Sequence, residues 1–416
     1  MMKAGASQIS ITPPVGIDLC GYVDRIGPST GVHDDLFVRG LYLQLDEERL
    51  LWLHCDLIGV SQEQVQRLRE ACLVEFGLYP SQVIVSATHT HSGPATIYLR
   101  GCGEVSTTYL AQLDNRLLEA ARGAMAHPEA VSLHFAEGRC QLARDRRRVS
   151  GYQHVDDHLP SLAFNRSDGS CLAVLANYAM HNAALSYESN LNSADVAGIA
   201  AEHTRTNLPG QPVVLLTNGG SANTIPPRSS SEPENMVAFG QYLGDALICV
   251  IERGEKCQPD LSSISEFVQL PFNIPLSQAV HQEYERDVAR FAENTLWRKA
   301  IEEWKDETLE ILEADPPANT KIEIQIIRAG PVGFTAIGAE VFTHLAEDLR
   351  AECGPQIYVV GCANGNIGYL PFWKIYTEGG YEVDTAYKFY GNFMIAPGGY
   401  EIVRDSAMRL LSNTVS

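Results

Sequence analysis

Two histidines separated by one residue, His89 and His91, lie in Ser86-Ala-Thr-His-Thr-His-Ser-Gly-Pro94, directly after the apolar run Val83–Ala87. Residues two apart on a strand share a face, so at a strand end both imidazoles can enter one cleft. Such a pair reads either as two hydrogen-bonded loop histidines or as the start of a metal site. The second reading needs further ligands, His or carboxylate, from elsewhere in the chain. Two candidates stand in similar places. His181 follows Ser170-Cys-Leu-Ala-Val-Leu-Ala-Asn-Tyr-Ala179, and Glu340 follows Val332-Gly-Phe-Thr-Ala-Ile337. Glu340 also reads as an acid at the start of a helix over 341–352, where the helix dipole favours negative charge.

The elements that must place these groups are legible as alternating strands and helices. Leu41–Leu45 and Leu50–Val60 read as strands around Asp46-Glu-Glu48. Gln62–Phe76 has helical spacing, with Ser61 as N-cap and Gln64 completing a capping box. Val83–Ala87 is the next strand, giving a strand–helix–strand unit with a parallel pair. His89 then falls beyond the carboxyl end of a strand, where open α/β sheets bind ligands. The theme recurs: 212–216 runs into Thr217-Asn-Gly-Gly-Ser-Ala-Asn223, and 356–360 into Gly361-Cys-Ala-Asn-Gly-Asn-Ile-Gly-Tyr369. Helices are expected at 237–253 and 402–412. The expected fold is α/β, a large mixed sheet flanked by helices with a metal site at strand ends. Residues 1–416 read as one catalytic domain with a helical insertion at about 277–313 and no internal repeat.

Bulk composition narrows the partners. Of 416 residues, 45% are hydrophobic and 20% charged, enough for a large core. A net charge of −20 argues against nucleic acid or an anionic membrane as partner. No apolar run reaches transmembrane length, about 18 residues. The opening MMKAGASQISITPPVG has no apolar signal region, and none of the ten cysteines forms C-x-x-C. The expectation is a cytoplasmic protein with reduced thiols and no zinc–thiolate cluster.

The set of motifs resembles the neutral, non-lysosomal ceramidase family, in particular its short bacterial members. The resemblance runs through Ile9-Ser-Ile-Thr-Pro-Pro-Val-Gly-Ile17, Gly21-Tyr22, Gly31-Val-His-Asp-Asp-Leu-Phe-Val-Arg-Gly40 and, most specifically, the segment 86–94. It continues through Tyr178-Ala-Met-His181, Ser193-Ala-Asp195, Gly338-Ala-Glu-Val-Phe-Thr343 and Tyr369 through Tyr381-Glu382. It implies a Zn2+ ion held by His89, His181, Glu340 and Tyr369, the last assigned through the Tyr-x11-Tyr spacing with Tyr381. It implies that His91 is not a ligand but acts on the reacting carbonyl, that Tyr381 hydrogen-bonds the developing oxyanion, and that an arginine supports the site. Arg146 is the match, with Arg147 and Arg148 as alternatives. The implied substrate is a small-molecule or lipid-like amide.

Two departures qualify the resemblance. Family members place a serine nucleophile one residue before a proline. Here the loop reads Asn218-Gly-Gly-Ser-Ala-Asn-Thr-Ile-Pro-Pro227, so that position is Ile225 or Pro226. Ser221 and Thr224 are the hydroxyls nearby, and Asn223 and Thr224 are candidate substrate contacts. Attack by zinc-bound hydroxide is therefore expected rather than an acyl-enzyme. The longer members also carry a C-terminal β-sandwich with no counterpart here; with no signal region either, a smaller or more polar amide in the cytoplasm is expected as readily as ceramide itself. The rival readings are a zinc-dependent esterase or lactonase, and a ligand-binding relative without catalysis. An oligomer is compatible with either.

Overall fold

The computed structural model describes residues 1–147 and 154–413. The fold is mixed α/β, and its strands are divided over three five-stranded sheets and three two-stranded ladders rather than gathered in one sheet. All three sheets share one wiring. In the first, Lys3–Ser10, Phe37–Leu45 and Glu48–Cys55 run antiparallel, and the helix Gln62–Phe76 then crosses over to Val83–Ala87, which pairs parallel with Glu48–Cys55. In the second, Ser132–Arg139, His158–Asn165 and Cys171–Tyr178 lead through the helix Asp195–Asn207 to the parallel strand Val213–Asn218. In the third, Leu261–Asn273, Asn319–Ala329 and Val332–Ile337 lead through Thr343–Cys353 to Ile357–Val360. A short fifth strand closes each far edge.

The residues explain why this threefold plan leaves no visible period. The sheets turn one face toward a shared core, where Trp52, Phe164 and Phe334 pack with Leu215, Leu261 and Val360. Trp52 of the first sheet meets Phe334 of the third edge-on at 5.4 Å. The other face of each sheet is covered by helices: Gln62–Phe76 and Thr107–Ala126 on the first, Asp195–Asn207 and Glu234–Ile251 on the second, Thr343–Cys353 and Gly399–Asn413 on the third. Strands buried on both faces carry continuous apolar runs instead of alternation. Full burial of each large apolar side chain contributes roughly 1.5–3 kcal/mol.

Ser61 caps the first helix through the Gln64 amide at 3.2 Å, but the Gln64 side chain reaches Asp114 at 3.2 Å instead of returning to the cap. The strand expected to reach Val60 stops at Cys55, because the chain turns away to offer the Leu57 and Ile58 carbonyls to His89. The connection between the first two strands of the third sheet holds an inserted helical hairpin, Ser277–Arg290 and Thr295–Glu313. Among the described residues no helix is long and apolar enough to cross a membrane.

Candidate metal centre

The three parallel strand pairs deliver their ends to one place. His89 follows Val83–Ala87, with its backbone held by the Leu57 carbonyl at 2.9 Å and its φ in the left-handed region at 62°. That conformation costs a non-glycine residue of order 1–3 kcal/mol and persists only where surroundings enforce it. The His89 ring donates from Nδ1 to the Ile58 carbonyl at 2.7 Å. His181 follows Cys171–Tyr178 and donates from Nδ1 to the Ser221 carbonyl, also at 2.7 Å. A carbonyl only accepts, so both protons are assigned to Nδ1 and both Nε2 atoms are free to bind a cation.

Those Nε2 atoms converge on one carboxylate oxygen. Glu340 Oε2 lies 3.3 Å from His89 Nε2 and 3.0 Å from His181 Nε2, with all three residues buried. Burial alone would raise the Glu340 carboxyl, but His89 and His181 outweigh it and hold the group well below the carboxylate range. Burial lowers His89, yet Cys362 and Glu340 together lift it above its ordinary value. This donor set of two oriented imidazoles and one ionised carboxylate fits a divalent cation.

Tyr369 completes the set. A two-residue parallel ladder pairs Glu340 with Tyr369 and Val341 with Leu370, which puts phenol and carboxylate side by side. Tyr369 Oη lies 3.4 Å from His181 Nε2, with the two rings stacked at 10°. Arg146 donates to Tyr369 Oη at 2.9 Å and to Glu382 at 3.0 Å, and its guanidinium lies 5.6 Å from the centre of the Tyr381 ring. Arg147 pairs with the other Glu382 oxygen, while Arg148 lies outside the described residues. Tyr381 stands edge-on to Tyr369 at 6.0 Å and opens, 38% exposed, into a pocket of about 390 Å³ shared with Arg146 and Arg147.

His91 joins the same cluster. Its ring centre is 5.0 Å from that of His89 and 5.7 Å from that of His181, and the three histidines offer ligand nitrogens within 4.8 Å of one another. Neither ring nitrogen of His91 has a hydrogen-bond partner among the described residues. Burial, then His89 and His181, push its pKa well below the ordinary value, so the ring is neutral. Gly21 is required beside it: at φ 113° a Cβ would sit 2.7 Å from the ring.

The loop chosen from sequence for its hydroxyls plays a different part. Ser221 supplies its carbonyl to His181. The Thr224 hydroxyl donates to the Ala179 carbonyl at 2.9 Å. The Asn223 amide donates to the His154 carbonyl and accepts from the Thr343 N–H. Thr224-Ile225 pairs antiparallel with Arg144-Asp145, and the Asn223 carbonyl accepts from the Arg146 N–H at 2.8 Å. The segment is a strap that seats Arg146.

Two contributors were not read from sequence. The Asn182 side-chain amide donates to the Thr88 carbonyl at 2.6 Å while the Asn182 backbone carbonyl accepts from the His91 N–H, so it sews the two histidine loops together. Its only signal was adjacency to His181. Tyr390 donates its hydroxyl to Glu340 Oε1. Burial pushes both the Tyr390 and Tyr369 phenols well above their ordinary range. The Tyr390 turn is anchored by Lys388, whose fully buried ammonium lies 2.5 Å from Asp287 and 2.9 Å from Glu283 and 4.4 Å from the Trp304 ring centre, all on the inserted hairpin.

No family model matches the chain. Neutral ceramidase of Pseudomonas aeruginosa is 22% identical over 222 residues, 48% of this chain and 33% of that protein, so the match spans about a third of the relative. The crystal structure of neutral ceramidase from Pseudomonas aeruginosa superposes with a TM-score of 0.76 at 16% identity, covering 99% of this chain and 75% of that one. A structure of ceramidase complexed with C2 superposes with a TM-score of 0.76, covering 74% of its chain. The chain has the neutral ceramidase fold.

Proposed function

We propose that this chain, built on the neutral ceramidase fold, is a zinc-dependent hydrolase that cleaves a linear amide, ceramide-like or another N-acyl compound. The observation that carries this reading is the convergence of two imidazoles, with tautomers fixed by backbone carbonyls, on one buried carboxylate. His89, His181, Glu340 and Tyr369 would hold the ion. A bound zinc supplies a Lewis acid that brings the pKa of a coordinated water toward about 7.

The chain's own groups do the rest. Arg146 and Tyr381 face the pocket and donate to the carbonyl oxygen of a bound amide as negative charge develops there. Neutral His91, with both ring nitrogens unengaged, orients that carbonyl or accepts a proton. Glu382 fixes Arg146 in place. In the strap from Asn218 to Pro227 the Thr224 hydroxyl is tied to the Ala179 carbonyl, and no serine stands directly before a proline, which supports hydrolysis by water without an acyl-enzyme. Ten free thiols, seven of them buried, support a reducing, cytoplasmic setting.

The test is metal content of the purified protein, followed by chelation and zinc re-addition against a panel of N-acyl compounds that includes a short-chain ceramide. One zinc per chain with zinc-restored cleavage is expected. Zinc without cleavage of any amide would move the reading to esters, lactones or binding alone. An acyl adduct trapped on Ser221 or Thr224 by rapid quench would overturn the water-attack step.

A further inference from the structure

A second cluster of ligand groups lies outside this centre. His344 and Glu347 are three residues apart at the start of the helix Thr343–Cys353, on one helical face. His154 comes from the connection between the first two strands of the second sheet. His154 Nδ1 lies 3.6 Å from Glu347 Oε1, and the three residues offer ligand atoms within 4.8 Å of one another. The two imidazole centres are 3.9 Å apart, tilted at 46°.

Two further observations point to a ligand. His344 Nδ1 is buried with no hydrogen-bond partner among the described residues. Such a group is unfavourable unless something binds it. The scaffold is also pre-set. Asn223 bridges the two ligand-bearing elements, donating to the His154 carbonyl at 2.8 Å and accepting from the Thr343 N–H at 3.1 Å. Asp145 holds the His154 N–H at 3.0 Å. Phe372 backs the His344 ring at 4.0 Å. Burial, then His154, pushes the His344 pKa down to about 3, so the ring is in its ligating neutral form at ordinary pH.

We infer that His154, His344 and Glu347 form a second, exchangeable site for a divalent transition metal of zinc type. Two imidazoles and one carboxylate are a familiar set for such ions. Lys374 and Arg147 lie close enough to bear on His344, and their charge opposes a cation. Binding here is accordingly weaker than at the buried centre and appears when zinc is in excess. Its occupancy ties the Arg146 connection to the helix that follows Glu340.

The experiment is zinc titration of the full chain, with bound metal counted by native mass spectrometry. The wild type is expected to take up a second ion after the first. His344→Ala and Glu347→Gln should each lose the later ion and keep the earlier one. Glu347 is half exposed, so its variant tests the site without disturbing the core. His89→Ala should lose the earlier ion and still take one at this site, which separates failure here from failure of the buried centre. A wild type that stops at one ion, or a Glu347→Gln variant that still binds two, overturns the inference.

Discussion

The two histidine clusters differ in how their rings are held. At the buried centre, His89 and His181 each tie Nδ1 to a backbone carbonyl at 2.7 Å, leaving one nitrogen for a ligand. In the outer cluster, His344 Nδ1 lacks such a tie and the ring is fixed by packing on Phe372 and His154. Backbone ties fix orientation and tautomer before any ion arrives; packing fixes position only. The first arrangement suits a resident metal, the second an exchangeable one.

The largest effect that would break this contrast is at the ligands. His89→Ala or His181→Ala should empty the buried centre and abolish hydrolysis, a loss of at least about 10³-fold. Stoichiometric metal in either variant at the buried centre, by mass spectrometry, would refute the ligand assignment. Arg146→Lys should lower kcat by roughly 10²–10³ while metal content stays at one per chain, because it removes a planar donor from the carbonyl and not a ligand. A change in KM alone would place Arg146 in ground-state binding. Tyr390→Phe should weaken zinc affinity by about 10- to 100-fold, since it removes the brace on Glu340. Unchanged affinity in a chelator competition would show that the brace is incidental.

A third histidine separates burial from ligation. His54 is buried against Ser86, and burial, then Arg39, pushes its pKa down to about 3. Its unfolded value is near 6.5, so between pH 6.5 and 3 the unfolded chain binds the extra proton. Stability is full above pH 6.5 and falls as pH drops through that window, by roughly 4 kcal/mol at its lower end from this group. His54→Asn should flatten that acid limb in urea unfolding. An identical limb in the variant would assign the loss to other groups.

What the sequence shows and hides follows from the range of the forces involved. Gln62–Phe76 and its Ser61 cap are local and were legible to the residue. The residues that meet at the candidate centre were legible because His89, His181 and Glu340 each follow a strand with a change of residue type. The division into three sheets was not, because strands apolar on both faces carry no period that marks their partners. Ser221, Asn223 and Thr224 were chosen by side-chain type. Their work is to supply a carbonyl and to clamp backbone, which any sequence leaves unmarked. Tyr390 was hidden because its partner, Glu340, is fifty residues away.

The anchoring of Lys388 bears on how this protein can be re-engineered. The pocket beside Tyr381 is lined by Arg146, Arg147 and residues 378–382, so the inserted hairpin looks like a cassette that could be exchanged freely. Yet Asp287 and Glu283 neutralise an ammonium buried two residues from the tyrosine that hydrogen-bonds Glu340. A graft lacking those acids would strand that charge in the interior, which typically costs about 3–5 kcal/mol. Any transplanted hairpin must bring its own pair of carboxylates, or Lys388 must be replaced along with it.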